Sequence, residues 1–353
     1  MAVIWWPAFE MTLDHAASRD ALAAFLRRKS DARAVEIEEL HLLSGGTLQE
    51  NWLLVARYHG GSLDGRQRFV LRTDAMTKLG MGLDRAGEFA VLRAVHAAGI
   101  MVPEPILLES GGSVIGKPFF LTRRIEGSAL APRIVAGEIG GDREALAERL
   151  GRELARIHRI TPPRAELAIL GAPSGDAAQT RIAEHRRFLL GSDEPFPVAE
   201  WALRWLMHHA PSPVPPVLCH GDFRTGNYLV DAGGLAAILD WEFARWGDPD
   251  EDIGWFCSRC WRFGADHREA GGIAPRAAFY GGYEAESGRR IDPLRARYWE
   301  VMAALRRLII AVRQRDRVLI GGERSLNLAL IGRRVAECEL ELLLLTEASE
   351  DME

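Results

Sequence analysis

The chain has little of several things that would place it in a class. Its 44 Lys and Arg stand against 49 Asp and Glu, for a net charge of -5. It therefore lacks the basic excess that phosphate-backbone binding leaves in a composition, and nucleic acid is not an expected partner. Cysteine is scarce. Cys219, Cys257, Cys260 and Cys338 are too few for a disulfide scaffold and are expected as reduced, mostly buried thiols of a cytoplasmic protein. Cys257 and Cys260 form a C-x-x-C, but no second ligand pair follows at zinc-site spacing, so a packing role is expected of them. No run reaches the roughly 18 apolar residues of a membrane span, and Met1 to Glu10 has neither the charged nor the continuous apolar part of a secretory leader. A soluble protein without a membrane partner is expected. Internal repeats and low-complexity linkers are also lacking.

What is present is core material. With 353 residues, 48% of them hydrophobic, the chain exceeds what one core usually holds, and two units of unequal size are expected, at 1–124 and 125–353. The first begins with Leu22, Phe25 and Leu26 at helical spacing, then Val35 to Leu43 as a strand. A glycine turn at Ser44-Gly45-Gly46-Thr47 leads into a strand at Asn51 to Val55, and Gly60 to Gly65 turns the chain into another at Phe69 to Arg72. A helix from about Asp84 to Ala98 carries Phe89, Leu92 and Val95 on one stripe, and Lys117 to Ile125 reads as a strand. This order predicts a small antiparallel sheet with one helix, an α+β arrangement. From Asp142 onward helices dominate, beginning with Ala145 to Arg159.

One loop carries the chemistry. Val217-Leu218-Cys219 and Leu235 to Leu239 are short apolar runs bracketing His220-Gly221-Asp222-Phe223-Arg224-Thr225-Gly226-Asn227, and Asp240 follows the second run. A hairpin in this region would set its two polar ends side by side. Phosphoryl transfer from ATP needs a carboxylate to take or orient the acceptor proton, oxygen ligands for magnesium, and positive charge at the moving phosphate. Asp222 suits the first role, Asn227 and Asp240 the second, and Arg224 the third.

The pattern H-G-D-x-x-x-x-N, with Leu239-Asp240-Trp241-Glu242, Gly247-Asp248-Pro249 and Asp252-Ile253-Gly254-Trp255 downstream, resembles the aminoglycoside phosphotransferase and choline-kinase-like superfamily. That resemblance implies a bilobal protein-kinase-like fold, ATP and Mg2+ as cofactors, and a small hydroxylated molecule as substrate. It also implies Asp222 as catalytic base, Asn227 and Asp240 as metal ligands, His220 as a brace of the loop, and Asp248 and Asp252 as supports.

For the nucleotide, the resemblance implies a phosphate-covering loop at Ser44, Gly45, Gly46, Thr47 and Asn51. That stretch is neither a Walker A sequence nor a G-x-G-x-x-G. A strand lysine is usual in the superfamily, and Arg72 stands there instead, keeping the charge on a bulkier planar fork. Glu88 is its expected ion-pair partner, and backbone groups of Arg123 and Ile125 are expected to meet adenine. The substituted lysine motivates an alternative reading, a nucleotide-binding pseudokinase with a scaffolding role. A protein kinase is disfavoured because Trp241-Glu242 follows Asp240 and no Ala-Pro-Glu-like segment comes after it.

On the acceptor side, Trp255, Trp261 and Phe263 would either wall a pocket or pack in a core. Arg289 to Arg334 holds twelve arginines against Asp292, Glu300, Asp316 and Glu323. Such a region suits an anionic or neutral acceptor better than a polycationic aminoglycoside, unless the acidic tail from Glu337 onward pairs with it. The Asp240 to Gly264 stretch also looks like the kinase-like domains associated with acyl-CoA dehydrogenases, which implies a hydroxyacyl-CoA acceptor.

Overall fold

The computed structural model describes residues 16–43, 49–74, 82–323 and 325–347. They divide into two compact units: the described residues up to Ala97 with Val102–Ile125, and Ala98–Met101 with Glu126 onward.

The first unit is built on an antiparallel sheet of β1 (Ala34–Leu42), β2 (Gln49–His59), β3 (Gly65–Asp74), β4 (Pro105–Glu109) and β5 (Phe119–Arg123), in the order β1-β2-β3-β5-β4. Alternation along β2 puts Trp52, Leu54, Ala56 and Tyr58 on one face. With Phe69, Leu71, Phe119 and Leu121 they bury Leu22, Phe25 and Leu26 of α1 (Ala16–Ser30). Phe25 meets Phe119 edge-on, ring centres 5.6 Å apart. The neighbouring Phe120 points to the other face, where Phe89 of α2 (Arg85–Ala97) lies 5.7 Å away. β4 was not expected from the sequence. Its five residues are too few to show a period, and Pro105 is tolerated because β4 is an edge strand.

The second unit is mainly helical. After α3 (Ala131–Ala136), α4 (Arg143–Ile157), α5 (Ala177–Leu190) and α6 (Pro197–His208) come four short strands, β6 (Val217–Cys219), β7 (Tyr228–Asp231), β8 (Gly234–Ile238) and β9 (Arg245–Gly247). Then follow α7 (Pro249–Cys257), α8 (Arg276–Ser287), α9 (Pro293–Leu319), α10 (Leu326–Gly332) and α11 (Val335–Glu347). α9 is the spine of this unit: Trp299, Met302, Leu305, Leu308 and Val312 are buried with residues of α5, α6 and α11. α4 and α8 approach closely at Gly151, where a Cβ would lie 2.1 Å from the Phe279 carbonyl oxygen. The two apolar runs that bracket the loop are not partners of each other. β6 pairs with β9 and β8 with β7, because Tyr228 to Gly234 turns back on itself within seven residues.

No helix among the described residues is long and apolar enough to cross a membrane. The sheet unit depends on its aromatic layer. Replacing the fully buried Phe119 by Ala is expected to cost about 3–5 kcal/mol, the usual loss for a buried aromatic. Denaturant unfolding checks this, and an unchanged midpoint would refute it.

Candidate active site

The loop between β6 and β7 is anchored from below by α7. Asp248 caps that helix, accepting from the Asp250 amide, and Asp252 lies one turn in. Both Asp252 oxygens are spent on the loop: the His220 amide donates to one at 2.7 Å and the Gly221 amide to the other at 2.8 Å. His158 Nε2 approaches the same carboxylate at 3.3 Å, and its Nδ1 faces the Tyr283 hydroxyl of α8 at 2.9 Å. Gly221 is obligatory here. Its φ is +78°, and an added Cβ would stand 2.1 Å from the Phe243 carbonyl oxygen.

His220 braces the loop from within. Its Nε2–H donates to the Leu239 carbonyl at 2.9 Å while Nδ1 accepts the Asp222 amide at 3.2 Å, which fixes the tautomer. The Leu239 amide in turn donates to the Asn227 carbonyl at 2.8 Å. The β7–β8 hairpin thus sets Asn227 opposite the residue that precedes Asp240. Asp240 itself has φ 69° and ψ 63°, a left-handed conformation that Asp tolerates better than most side chains, and functional sites often hold such residues.

Asp222 is buried and held by three donors. Trp255 Nε1–H donates to Oδ1 at 2.7 Å; Asn227 Nδ2–H and Arg224 Nε–H donate to Oδ2 at 2.6 and 3.1 Å. These charge-assisted bonds fix the carboxylate in one rotamer. Trp255 was expected only as pocket wall or core. Its indole does both packing and positioning, because it is buried on α7 yet reaches the acid, and spacing alone cannot announce an indole N–H aimed at a loop 33 residues away. Trp261 stands edge-on to Trp255 at 5.3 Å, while Phe263 is largely exposed. Arg224 is committed locally, its guanidinium 4.4 Å above the Trp261 ring; a position at a transferred phosphate requires it to leave that ring.

In the sheet unit Asn51 of β2 lies opposite Arg72 of β3, and Arg72 Nε pairs with Glu88 Oε1 of α2 at 2.9 Å. Arg85 holds the other Glu88 oxygen at 2.5 Å. The Arg123 amide donates to the Glu104 carbonyl at 2.8 Å, and its side chain bonds Glu104 and Gln67. The Arg123 amide is therefore already used within the sheet unit. Ser44, Gly45, Gly46 and Thr47 lie outside the described residues.

His158, Cys219 and Asp252 offer ligand atoms within 4.8 Å of one another. They serve packing and anchoring: the Asp252 oxygens are taken by amides, and the Cys219 thiol, pushed well up by burial, donates to the Asp248 carbonyl at 3.3 Å. The arginines of the last helices mostly find partners outside the acidic tail. Arg289 and Arg295 hold Asp250, Arg295 also holds Asp248, and Arg317 pairs with Glu323.

An antiparallel-sheet unit, a mainly helical unit and this His-Gly-Asp loop define a phosphotransferase with a protein-kinase-like fold. The chain belongs to the Phosphotransferase enzyme family, whose model matches residues 39–305. Among curated proteins it is 28% identical over 244 residues to acyl-CoA dehydrogenase family member 11 of Pongo abelii, covering 65% of this chain and 31% of that protein. The chain thus spans about a third of the length of that relative. Among solved structures, a Ralstonia eutropha protein provisionally described as an aminoglycoside phosphotransferase superposes with a TM-score of 0.74 at 23% identity, covering 93% of this chain and 98% of that one. A spectinomycin phosphotransferase solved with ADP and spectinomycin gives a TM-score of 0.55 at 14% identity, covering 93% and 98%. Both likenesses concern the fold.

The anchor carries a pH signature. Burial alone would push the Asp252 carboxyl up, but bonding to His158 and the charge of Arg245 act against it, and the group is held below its ordinary value. Its stabilisation is therefore present above the ordinary carboxylate value of about 4 and lost as pH falls below it. Asp252→Asn should cost about 3 kcal/mol at pH 7, the scale for stranding donors on a buried charged partner. It should also weaken the acid-side loss seen in denaturant midpoints between pH 5 and pH 3. An equal acid-side loss in both proteins would rule Asp252 out as its source.

Proposed function

We propose that this chain transfers the γ-phosphoryl group of Mg-ATP to a hydroxyl of a small molecule, with a hydroxyacyl-CoA as the acceptor class. The observation that carries the reading is the Asp222 carboxylate, fixed by Trp255, Asn227 and Arg224 on a loop that also brings Asn227 beside the Asp240 segment. Family membership supports the reaction class. The ADP complex of the spectinomycin enzyme supports a nucleotide, and the names of the curated relatives support an acyl-CoA.

The residues suit the cofactor. Asn227 turns its amide nitrogen to Asp222, so its Oδ1 is the atom left for a cation, and Asp240 adds a carboxylate; both are hard oxygen donors of the kind magnesium takes. Bound magnesium would neutralise charge on the phosphates. Asp222 orients the acceptor hydroxyl and receives its proton, while Trp255 and Asn227 keep the carboxylate from rotating away. In the sheet unit, Asn51 and Arg72 are assigned to the nucleotide phosphates together with Ser44, Gly45, Gly46 and Thr47, and Glu88 keeps Arg72 extended along the sheet. The Ile125 amide and the Arg123 carbonyl are assigned to adenine. The two parts, 1–124 and 125–353, thus divide nucleotide binding from acceptor chemistry.

ADP release over a panel of hydroxyacyl-CoAs and aminoglycosides tests the reading. Asp222→Asn should lower turnover at least about 1000-fold, within the range for losing a general base, with the affinity for a non-hydrolysable ATP analogue little changed. Unaltered turnover in that variant would sink the assignment. Trp255→Phe keeps the ring and removes the N–H. It should lower kcat about 10-fold, the scale of one lost hydrogen bond to a charged group, with a smaller effect on KM; an unchanged kcat would remove Trp255 from the positioning role.

A further inference from the structure

The cationic side chains beside Asp222 are arranged on indole rings rather than on carboxylates. Arg306 of α9 lies with its guanidinium carbon 4.2 Å above the Trp255 ring, the same indole whose N–H holds Asp222. Arg307 lies 5.5 Å from the Trp261 ring centre, and Arg224 lies 4.4 Å from that same ring. The result is a ladder of three guanidinium groups on two indoles. Its one ion pair among the described residues is Arg224 with Asp222.

Arg306 donates to the Gly221 carbonyl at 2.7 Å, and neither it nor Arg307 pairs with a carboxylate among the described residues. The carboxylates whose charge reaches Arg306, Asp222 and Glu251, are already engaged. Glu251 is shared by Arg181 at 2.8 Å and Arg245 at 3.2 Å, and Asp222 already accepts from Arg224, Asn227 and Trp255. A partly buried guanidinium with no ion pair of its own among the described residues is costly to maintain, and stacking on an indole offsets only part of that cost.

We infer that Arg306, backed by Arg307 across the Trp255 and Trp261 rings, forms an anion subsite that binds a carboxylate or phosphate group of the acceptor while Asp222 addresses its hydroxyl. The inference rests on the phosphoryl-transfer reading of the loop. Two electrostatic facts accompany the geometry. Burial and the charge of Arg245 pull the Arg306 guanidinium down to about 10, and burial with the charges of Arg306, Arg181, Arg245 and Arg313 holds His185 at about 3. Both mark an excess of positive charge around Arg306, the condition under which a bound anion is favoured. Arg306 is thus a specificity residue that acts on the acceptor and, through Trp255, borders the positioning of Asp222.

The test uses the full chain saturated with Mg-AMPPNP, so that the nucleotide phosphates fill their own place. Tryptophan emission is followed during titration with inorganic phosphate, with 3-hydroxybutyrate, and with the neutral 3-hydroxybutyramide. Saturable quenching is expected from at least one of the anions, and the one that binds more tightly identifies whether phosphate or carboxylate is the recognised group. The amide should be silent up to ten times the concentration. Arg306→Gln should weaken anion binding at least 10-fold, whereas Arg306→Lys, which keeps the charge, should lose less; a purely bracing role would not separate these two variants by charge. Circular dichroism excludes misfolding as the cause. Absence of saturation by either anion, equal binding in wild type and Arg306→Gln, or binding of the amide as tight as that of its anion would overturn the subsite. Failure of AMPPNP itself to bind would count against the phosphotransferase reading instead, and the anion titrations of the same variants would still decide the subsite.

Discussion

One buried carboxylate supports everything that happens above it. Asp252 takes two consecutive backbone amides of the loop, and without it those donors would face an apolar interior unpaired. Because the bonds go to His220 and Gly221, the side chains of His220 and Asp222 leave the loop in fixed directions: one to the Leu239 carbonyl, the other to Trp255 and Asn227. His158, Tyr283 and the glycine-mediated approach of α4 and α8 then serve to keep that carboxylate in place. The helical unit is in this sense a support for one anion, and the loop is the part that anion presents.

Much of this was legible in the sequence because it is local. The loop from His220 to Asn227, the Asp240 segment and the helix α2 follow from spacing and residue type, and Asp248 and Asp252 as supports follow from the resemblance. The Arg72 and Glu88 pair, expected from the resemblance, also forms. What was hidden is what depends on partners far away in the chain. β4 is a five-residue edge strand whose identity comes from β5. β6 finds β9 rather than β8. The indole of Trp255 looks in sequence like any core aromatic, and the amide of Arg123 looks available until Glu104 occupies it. Residue type gives the chemistry a group can do; only the fold says which of its atoms are already used.

Arg72 takes on a different weight in this light. Lys29, Lys78 and Lys117 are the only lysines among the 44 basic residues, so arginine stands almost everywhere a cation is needed. An arginine at this strand position accords with that chain-wide preference, and the fork pairs with the buried Glu88 across β3 and α2.

Trp255 sits at a junction. One edge of its ring is turned to the acid on the loop, and one face is turned to Arg306 on α9. The carboxylate at one edge of the indole and the guanidinium on its face are therefore encoded 84 positions apart. Arg306 is only partly buried on a long helix, whereas Trp255 and Asp252 are buried on α7, so the cation on the face of the indole can vary in sequence while the residues at its edge stay as they are.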